Sequence, residues 1–182
     1  MIHLETDRLL LRDWTLDDYE PFAALNTDAR VMEHFPAISS RDRSNMFAER
    51  IQHGLDHDGF GFYAVEVKAT SGFIGFVGLS GVGFQAAFAP AMQIGWRLAF
   101  DAWGQGFASE AAKACLGHGF TELGCRELVS FTTQGNLRST AVMERIGMTR
   151  DPDGDFECPE VPIGHPQRPH VLYRISKPDQ GT

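Results

Sequence analysis

The sequence has few cysteines and no long apolar run, and each absence excludes classes of protein. Its three cysteines are odd in number and lack metal-site spacing. His53 and His57 share a helix face without a third ligand, so we expect no metal. No stretch approaches the roughly 18 apolar residues of a membrane span, and residues 1–5 lack the parts of a signal peptide. We therefore expect a cytoplasmic protein with reduced thiols and no membrane contact.

Basic residues are also scarce, since 16 Lys and Arg stand against 24 Asp and Glu, giving a formal net charge of −8. This charge argues against nucleic-acid binding and weakly favours a cationic partner such as an amine. The length of 182 residues and the hydrophobic content of 43% are typical of one globular domain. We expect that domain to span residues 1–182, with a frayed tail from about 176 to 182.

A glycine-rich turn that runs directly into a helix is the most informative segment. It covers residues 103–111, WGQGFASEA. Gly104 and Gly106 lack a Cβ, so their backbone can approach a bulky ligand closely. The helix that follows directs unpaired N–H groups and its positive dipole end at the same place, which favours a phosphate or pyrophosphate. The alternative is a tight surface turn without a ligand.

The elements around this turn predict a mixed α+β fold. Apolar residues recur at helical spacing from Ala108 to Leu123, and residues 92–98 before the turn resemble a strand. Five of the nine prolines fall in residues 151–170, which predicts an ordered functional loop there. The remaining patterns predict strands over 5–13, 59–68, 72–82, 93–98, 128–133 and 171–175, and helices over 15–26, 28–34, 40–57 and 136–147, with helices on both faces of the sheet.

With these elements in order, the chain resembles an acetyl-CoA-dependent N-acetyltransferase of the GNAT superfamily. It is most similar to the branch that includes the Rim-type ribosomal-protein N-terminal acetyltransferases. The pyrophosphate signature of that family, Gln/Arg-x-x-Gly-x-Gly/Ala, falls on residues 103–108, with Trp103 in place of the polar first residue. Residues 136–139, NLRS, resemble the Asn-x-x-Ser helix of the family, and Met148 stands where its terminal aromatic residue would be.

The resemblance implies a mostly antiparallel twisted sheet in which two parallel strands, 93–98 and 128–133, splay apart around the pantetheine arm of acetyl-CoA. It implies that backbone groups of Trp96 and Leu98 hold this arm and that the Leu98 N–H stabilises the thioester oxyanion. It also implies that the pyrophosphate binds near Trp103 to the amides of the turn and helix start, namely Gly104, Gln105, Gly106, Phe107, Ala108 and Ser109.

The groups that would transfer protons depart from the family pattern. Its usual acid, a tyrosine seven residues after the Asn, is replaced by Met143, which leaves Ser139 as a candidate acid. The glutamate base of many relatives is replaced by Gln93, which cannot titrate. Other residues that could border the acceptor site are candidate bases, and the sequence does not choose among Glu33, His34, Asp155, Glu157, His165 and His170.

Several alternatives stay open. The resemblance implies that Asn136, Arg138 and Ser139 contact the cofactor, but Asn136 is also a favoured helix N-cap, Ser139 could simply bond to the backbone, and Arg138 could bind a phosphate or lie in solvent. The acceptor could be a protein N-terminus or a small amine, and the protein a monomer or a homodimer. The losses at Met143 and Gln93 also allow a non-catalytic CoA-binding module with the same fold.

Overall fold

The computed structural model describes residues 1–178, which build an eight-stranded sheet in the order β1-β2-β3-β4-β5-β6-β8-β7. The strands are β1 Ile2–Glu5, β2 Leu9–Arg12, β3 Phe62–Val67, β4 Gly72–Gly81, β5 Met92–Leu98, β6 Glu127–Thr133, β7 Thr149–Glu157 and β8 Pro169–Ser176. The helices are α1 Tyr19–Thr27, α2 Arg41–Asp58, α3 Phe107–Thr121 and α4 Leu137–Arg145. Every strand pairing is antiparallel except that of β5 with β6. The predicted mixed α+β class is confirmed.

The helices pack on both faces of the sheet, as predicted. On β4, Phe76 packs its ring against Phe22 of α1 and Phe47 of α2. Leu79 lies three residues further along the same strand and faces α3, where its side chain approaches Gly119. Because successive side chains of a strand point to opposite faces, α1 and α2 cover one face and α3 covers the other.

The parallel pair separates along its length. The register of β5 with β6 has a single pair, Gln93 with Val129, near the amino ends of both strands. Next to it, the buried Ser130 hydroxyl donates to the carbonyl of Ile94 at 2.9 Å. Beyond this point the rest of β5 pairs only with β4. The sheet is therefore open between the carboxyl ends of β5 and β6.

Two sequence predictions about strands are wrong. The first strand, expected over 5–13, is two strands joined by a turn in which the Thr6 N–H donates to the Leu9 carbonyl at 3.0 Å. The loop expected over 151–170 begins as strand β7, which lies at the edge of the sheet. An edge strand tolerates Pro152 because one side of it needs no ladder donor. Its pairing with β8 is also irregular between Asp151 and Phe156.

Smaller differences between prediction and structure concern residues 28–34, α2 and the end of the chain. Residues 28–34 form turns rather than a helix. In α2, Ser44, Ala48, Ile51 and Leu55 are buried, whereas the apolar Met46 is 67% exposed. The predicted tail overlaps the end of β8 at Ser176, and its residues 179–182 lie outside the described part of the chain. Among residues 1–178, no helix is both long enough and apolar enough to cross a membrane.

Gly75→Ala is expected to destabilise the fold by about 3 kcal/mol, because the strand neighbours leave no room for a methyl group. Gly75 has a φ of +129°, and a Cβ there would lie 2.1 Å from the carbonyl oxygen of Arg97 on β5. Gly81→Ala at the end of the same strand is the control, since nothing lies within 4 Å of its Cβ position. Urea unfolding of both variants would measure the difference, and equal midpoints would contradict the steric argument.

Candidate functional site

A cleft of about 890 Å³ opens where β5 and β6 separate. Its walls come from β5, β6, the start of α3, α4 and the segments that precede α2 and β8. Of the twelve residues predicted to hold the cofactor, eleven line this cleft, namely Trp96, Leu98, Trp103, Gly104, Gly106, Phe107, Ala108, Ser109, Asn136, Arg138 and Ser139. Gln105 does not, because its side chain turns back to donate to the Asp101 carbonyl at 2.8 Å.

The open edge of β5 presents backbone hydrogen-bonding groups to the cleft. The Ala99 N–H donates to the Ile74 carbonyl of β4, while the Ile94 carbonyl accepts from Ser130 on the other side. Because these groups alternate along a strand, the N–H groups of Trp96 and Leu98 point away from β4, into the opening. The Leu98 carbonyl accepts from the Trp103 indole at 2.9 Å, which fixes the turn beside the strand.

The glycine turn leaves the first amides of α3 without partners in the helix. Gly104 and Gly106 have φ values of +74° and +81°, in the left-handed region that favours glycine. Gly106 is the N-cap of α3 and provides no side-chain acceptor. The first helical bond is from Glu110 N–H to the Gly106 carbonyl at 3.0 Å. The N–H groups at positions 107–109 are therefore available to an anion.

Two arginines near this turn were missed by the sequence reasoning. Arg8 donates to the Gln105 carbonyl at 3.0 Å and forms an ion pair with Glu110 at 2.6 Å. Arg145 of α4 lines the cleft and its guanidinium lies 3.3 Å from the Ser109 hydroxyl. Arg145 follows Arg138 by seven residues, so the helical spacing could have indicated it. Arg8 reaches the turn only through the tertiary fold.

Asn136, at the start of α4, has mainly a structural role. Asn136 accepts from the Ser139 N–H at 3.2 Å and donates to the Thr132 hydroxyl at 3.0 Å, so both ends of its amide are engaged within the protein. Ser139 lines the cleft, and its hydroxyl forms no hydrogen bond to any residue of the described chain. Arg138 lies 4.7 Å over the Trp103 ring and 3.4 Å from Glu33. Met143 is buried and also lines the cleft.

The structure divides the six candidate bases by whether they line the cleft. Only His34 and His170 line the cleft. The other four do not line it and have partners of their own: Glu33 contacts Arg138, Asp155 pairs with Arg150, Glu157 pairs with Arg168, and His165 accepts from the Gln167 N–H.

His170 is held in one tautomer by its surroundings. Its Nδ1 lies 3.0 Å from the Arg168 carbonyl, which can only accept, so Nδ1 carries the proton and Nε2 is free to accept one. Burial beside Phe131 and Phe156 lowers the pKa of His170 below its usual value of 6.5. Its imidazole is therefore neutral at pH 7. Glu160 also lines the cleft and was missed, because the sequence reasoning could not place single residues within 151–170.

The described residues contain no group of three or more His, Cys, Asp or Glu side chains with the geometry of a metal site. The site instead combines an open strand edge, free helix-start amides and arginines. Such an arrangement suits a long ligand that has an anionic end and an amide-containing arm. A site of this kind is typical of proteins that bind a nucleotide-linked acyl carrier where two strands of a β-sheet splay apart.

Comparison with known proteins identifies the family. The model of the acetyltransferase (GNAT) domain family matches residues 8–149, and the chain belongs to that family. The sequence is 32% identical over 148 residues to the uncharacterized protein YkkB of Bacillus subtilis, covering 80% of this chain and 84% of the relative. It is 27% identical to the uncharacterized N-acetyltransferase YnaD of the same organism, covering 96% of both.

Solved structures agree on the fold. A GNAT-family acetyltransferase from Bacillus anthracis superposes with a TM-score of 0.78 at 24% identity, covering 97% of this chain and 98% of the other. RimL, a ribosomal L7/L12 alpha-N-protein acetyltransferase solved with coenzyme A, has a TM-score of 0.74 at 18% identity, covering 97% and 98%. The resemblance to the GNAT superfamily is confirmed, and the chain is an acetyltransferase domain of that superfamily. It shares its fold with the Rim-type structure.

Proposed function

We propose that this protein transfers the acetyl group of acetyl-CoA to a primary amine within a ternary complex. The observation that carries the proposal is the presence of two sets of free backbone donors in one cleft, the N–H groups of Trp96 and Leu98 on β5 and the amides at positions 107–109. The pyrophosphate binds these helix-start amides, with Arg145 and Arg138 beside it. The pantetheine arm lies along the open edge of β5.

In the reaction, the neutral amine attacks the thioester carbonyl carbon and a C–N bond forms. The carbonyl oxygen becomes an oxyanion, which the Leu98 N–H stabilises because it points into the opening. The C–S bond then breaks, the thiolate leaves and takes up a proton, and the nitrogen loses its surplus proton. His170 accepts that proton at Nε2, since its Nδ1 is already bonded to a carbonyl.

Ser139 passes a proton to the departing thiolate and regains one from water in the same step. Ser139 lines the cleft, and its N–H donates to the Asn136 side chain at 3.2 Å. A CoA-like thiol with a pKa near ~8.5 needs little help, and water can substitute in part. Met143, at the position of the usual tyrosine, has no proton to donate.

Ser139→Ala is therefore expected to lower kcat by about 10-fold, below the usual contribution of a general acid, with CoA affinity unchanged. The control is Thr140→Val on the same helix, because the Thr140 hydroxyl bonds to the Leu137 carbonyl instead of facing the cleft. Steady-state rates at saturating substrates would measure both. An equal kcat for wild type and Ser139→Ala at every pH would remove Ser139 from this role.

The second candidate is a non-catalytic CoA-binding protein, which Met143 and Gln93 favour because neither can transfer a proton. Calorimetry with CoA and a thiol-release assay with a panel of primary amines separate the two. CoA binding with release of free thiol and appearance of the acetylated amine supports the enzyme. CoA binding without turnover of any amine supports the second candidate, and an absence of CoA binding contradicts both.

A further inference from the structure

An arginine without an acidic partner lies in the wall of the cleft. Arg97 of β5 donates from Nη1 to the Asn26 amide oxygen at 2.7 Å. It forms no ion pair with any carboxylate of residues 1–178, and its buried Nε has no hydrogen-bond partner there. The other arginines that line the cleft, Arg30, Arg138 and Arg145, each bond to a carboxylate or a hydroxyl.

Arg97 is held in place and still charged. Its guanidinium stacks 4.1 Å from the centre of the Phe35 ring and 5.6 Å from that of Phe76. Asn26, which is 1% exposed, is itself fixed because its amide donates to the Ser44 hydroxyl at 3.0 Å. Burial lowers the pKa of Arg97 to about 10, so the side chain remains protonated at neutral pH.

The position of Arg97 separates it from the pyrophosphate site. Arg97 is opposite Phe76 in the β4–β5 register and therefore shares its face of the sheet, which α1 and α2 cover. The helix whose start would bind the pyrophosphate, α3, covers the opposite face. A ligand that meets Arg97 thus enters from the α1–α2 side, where an acceptor would approach the thioester held along β5.

We propose that the acceptor is a small amine that carries a carboxylate, and that Arg97 binds this carboxylate. The inference rests on the proposed function. A buried cation with only a neutral partner is costly, and an incoming anion would compensate it with charge-assisted hydrogen bonds. The surrounding wall is aromatic, with Phe35, Phe47, Phe62 and Phe76 lining the cleft. The free carboxyl group distinguishes such an acceptor from a protein N-terminus, whose α-carboxyl is in a peptide bond.

Product binding tests this pairing without the complication of amine protonation. N-acetyl-phenylalanine and N-acetyl-phenylalaninamide differ in the carboxylate alone, as do 4-acetamidobutyrate and its amide. Calorimetry on the CoA-loaded protein is expected to give an acid-over-amide preference of about 10- to 100-fold in at least one pair. No preference in either pair, or no binding of either acid, overturns the inference on the unmodified protein.

Arg97→Gln tests the residue itself, because glutamine keeps a polar amide donor while it removes the charge. The acid-over-amide preference is expected to disappear in this variant and to survive in part in Arg97→Lys. Arg41→Gln, which removes an exposed arginine paired with Glu20 outside the cleft, is the control. A preference that persists unchanged in Arg97→Gln overturns the assignment.

The outcome is separable from that of the proposed function. If amines without a carboxylate, such as phenethylamine, are acetylated while the acids show no advantage, the acetyltransferase stands and the inference fails. If CoA binds but no amine is acetylated, the proposed function fails, and the product-binding comparison still decides whether Arg97 selects a carboxylate.

Discussion

Gly106→Glu is expected to weaken CoA binding by at least about 100-fold, because it puts a carboxylate where the pyrophosphate would lie. Gly106 is the N-cap of α3 with a φ of +81°, and its carbonyl accepts the first helical hydrogen bond. A glutamate side chain there would compete for the amides at positions 107–109 and repel the phosphates. The loss of two charge-assisted hydrogen bonds, each worth about 1.5–3 kcal/mol, sets the lower limit of the effect.

The control for this variant is Gly124→Glu, beyond the other end of α3. Gly124 has a φ of +66° and nothing lies within 4 Å of its Cβ position, so the substitution has the same backbone cost and the same charge far from the cleft. Calorimetric titration with CoA, with thermal melting to confirm folding, would compare them. CoA affinity that is reduced equally in both variants, or in neither, would contradict the pyrophosphate assignment.

The sequence predicts the local parts of this site well. The glycine turn and the helix after it depend on φ values and on spacing within about twenty residues, so residues 103–123 could be assigned without a structure. The separation of β5 from β6 followed from the family resemblance, and the single Gln93–Val129 pair agrees with it. Which cofactor atoms meet which residue stays a prediction.

Contacts between residues far apart in the chain could not be predicted from the sequence. Arg8 reaches the turn because Glu110 accepts from its backbone N–H at 3.0 Å and from the Thr6 hydroxyl at 2.6 Å, across about a hundred residues. No local pattern encodes such a contact. The same holds for Arg97, whose lack of a carboxylate partner becomes visible only when its neighbours Asn26 and Phe35 are in place.

The prediction of a loop over the proline-rich residues 151–170 was wrong for a related reason. Proline is unfavourable inside a sheet, but β7 is an edge strand and its pairing is interrupted after Asp151, so Pro152 is accommodated. Whether a strand is central or at the edge depends on the topology of the whole sheet. For the same reason the six candidate bases could be reduced to His34 and His170 only by the fold.

His170→Gln is expected to lower kcat by about 100-fold with an acceptor of high pKa, which is the low end of a general base contribution. An amine with a pKa near ~10.4 is almost fully protonated at pH 7 and depends on a base, whereas an α-amine near ~8 is already partly neutral and should lose less. The control is His165→Gln, which removes a nearby histidine that does not line the cleft.

The lowered pKa of His170 determines how the kcat should change with pH. Burial lowers the pKa of His170, so its neutral, proton-accepting form persists to a lower pH than that of an ordinary histidine. The kcat of the wild type should fall only as the pH drops through a value below 6.5, and His170→Gln should lack that acidic limb. Steady-state rates from pH 5 to 9 at saturating acceptor would measure it. An acidic limb that survives unchanged in His170→Gln would assign the base to another group, with His34 as the remaining histidine in the cleft wall.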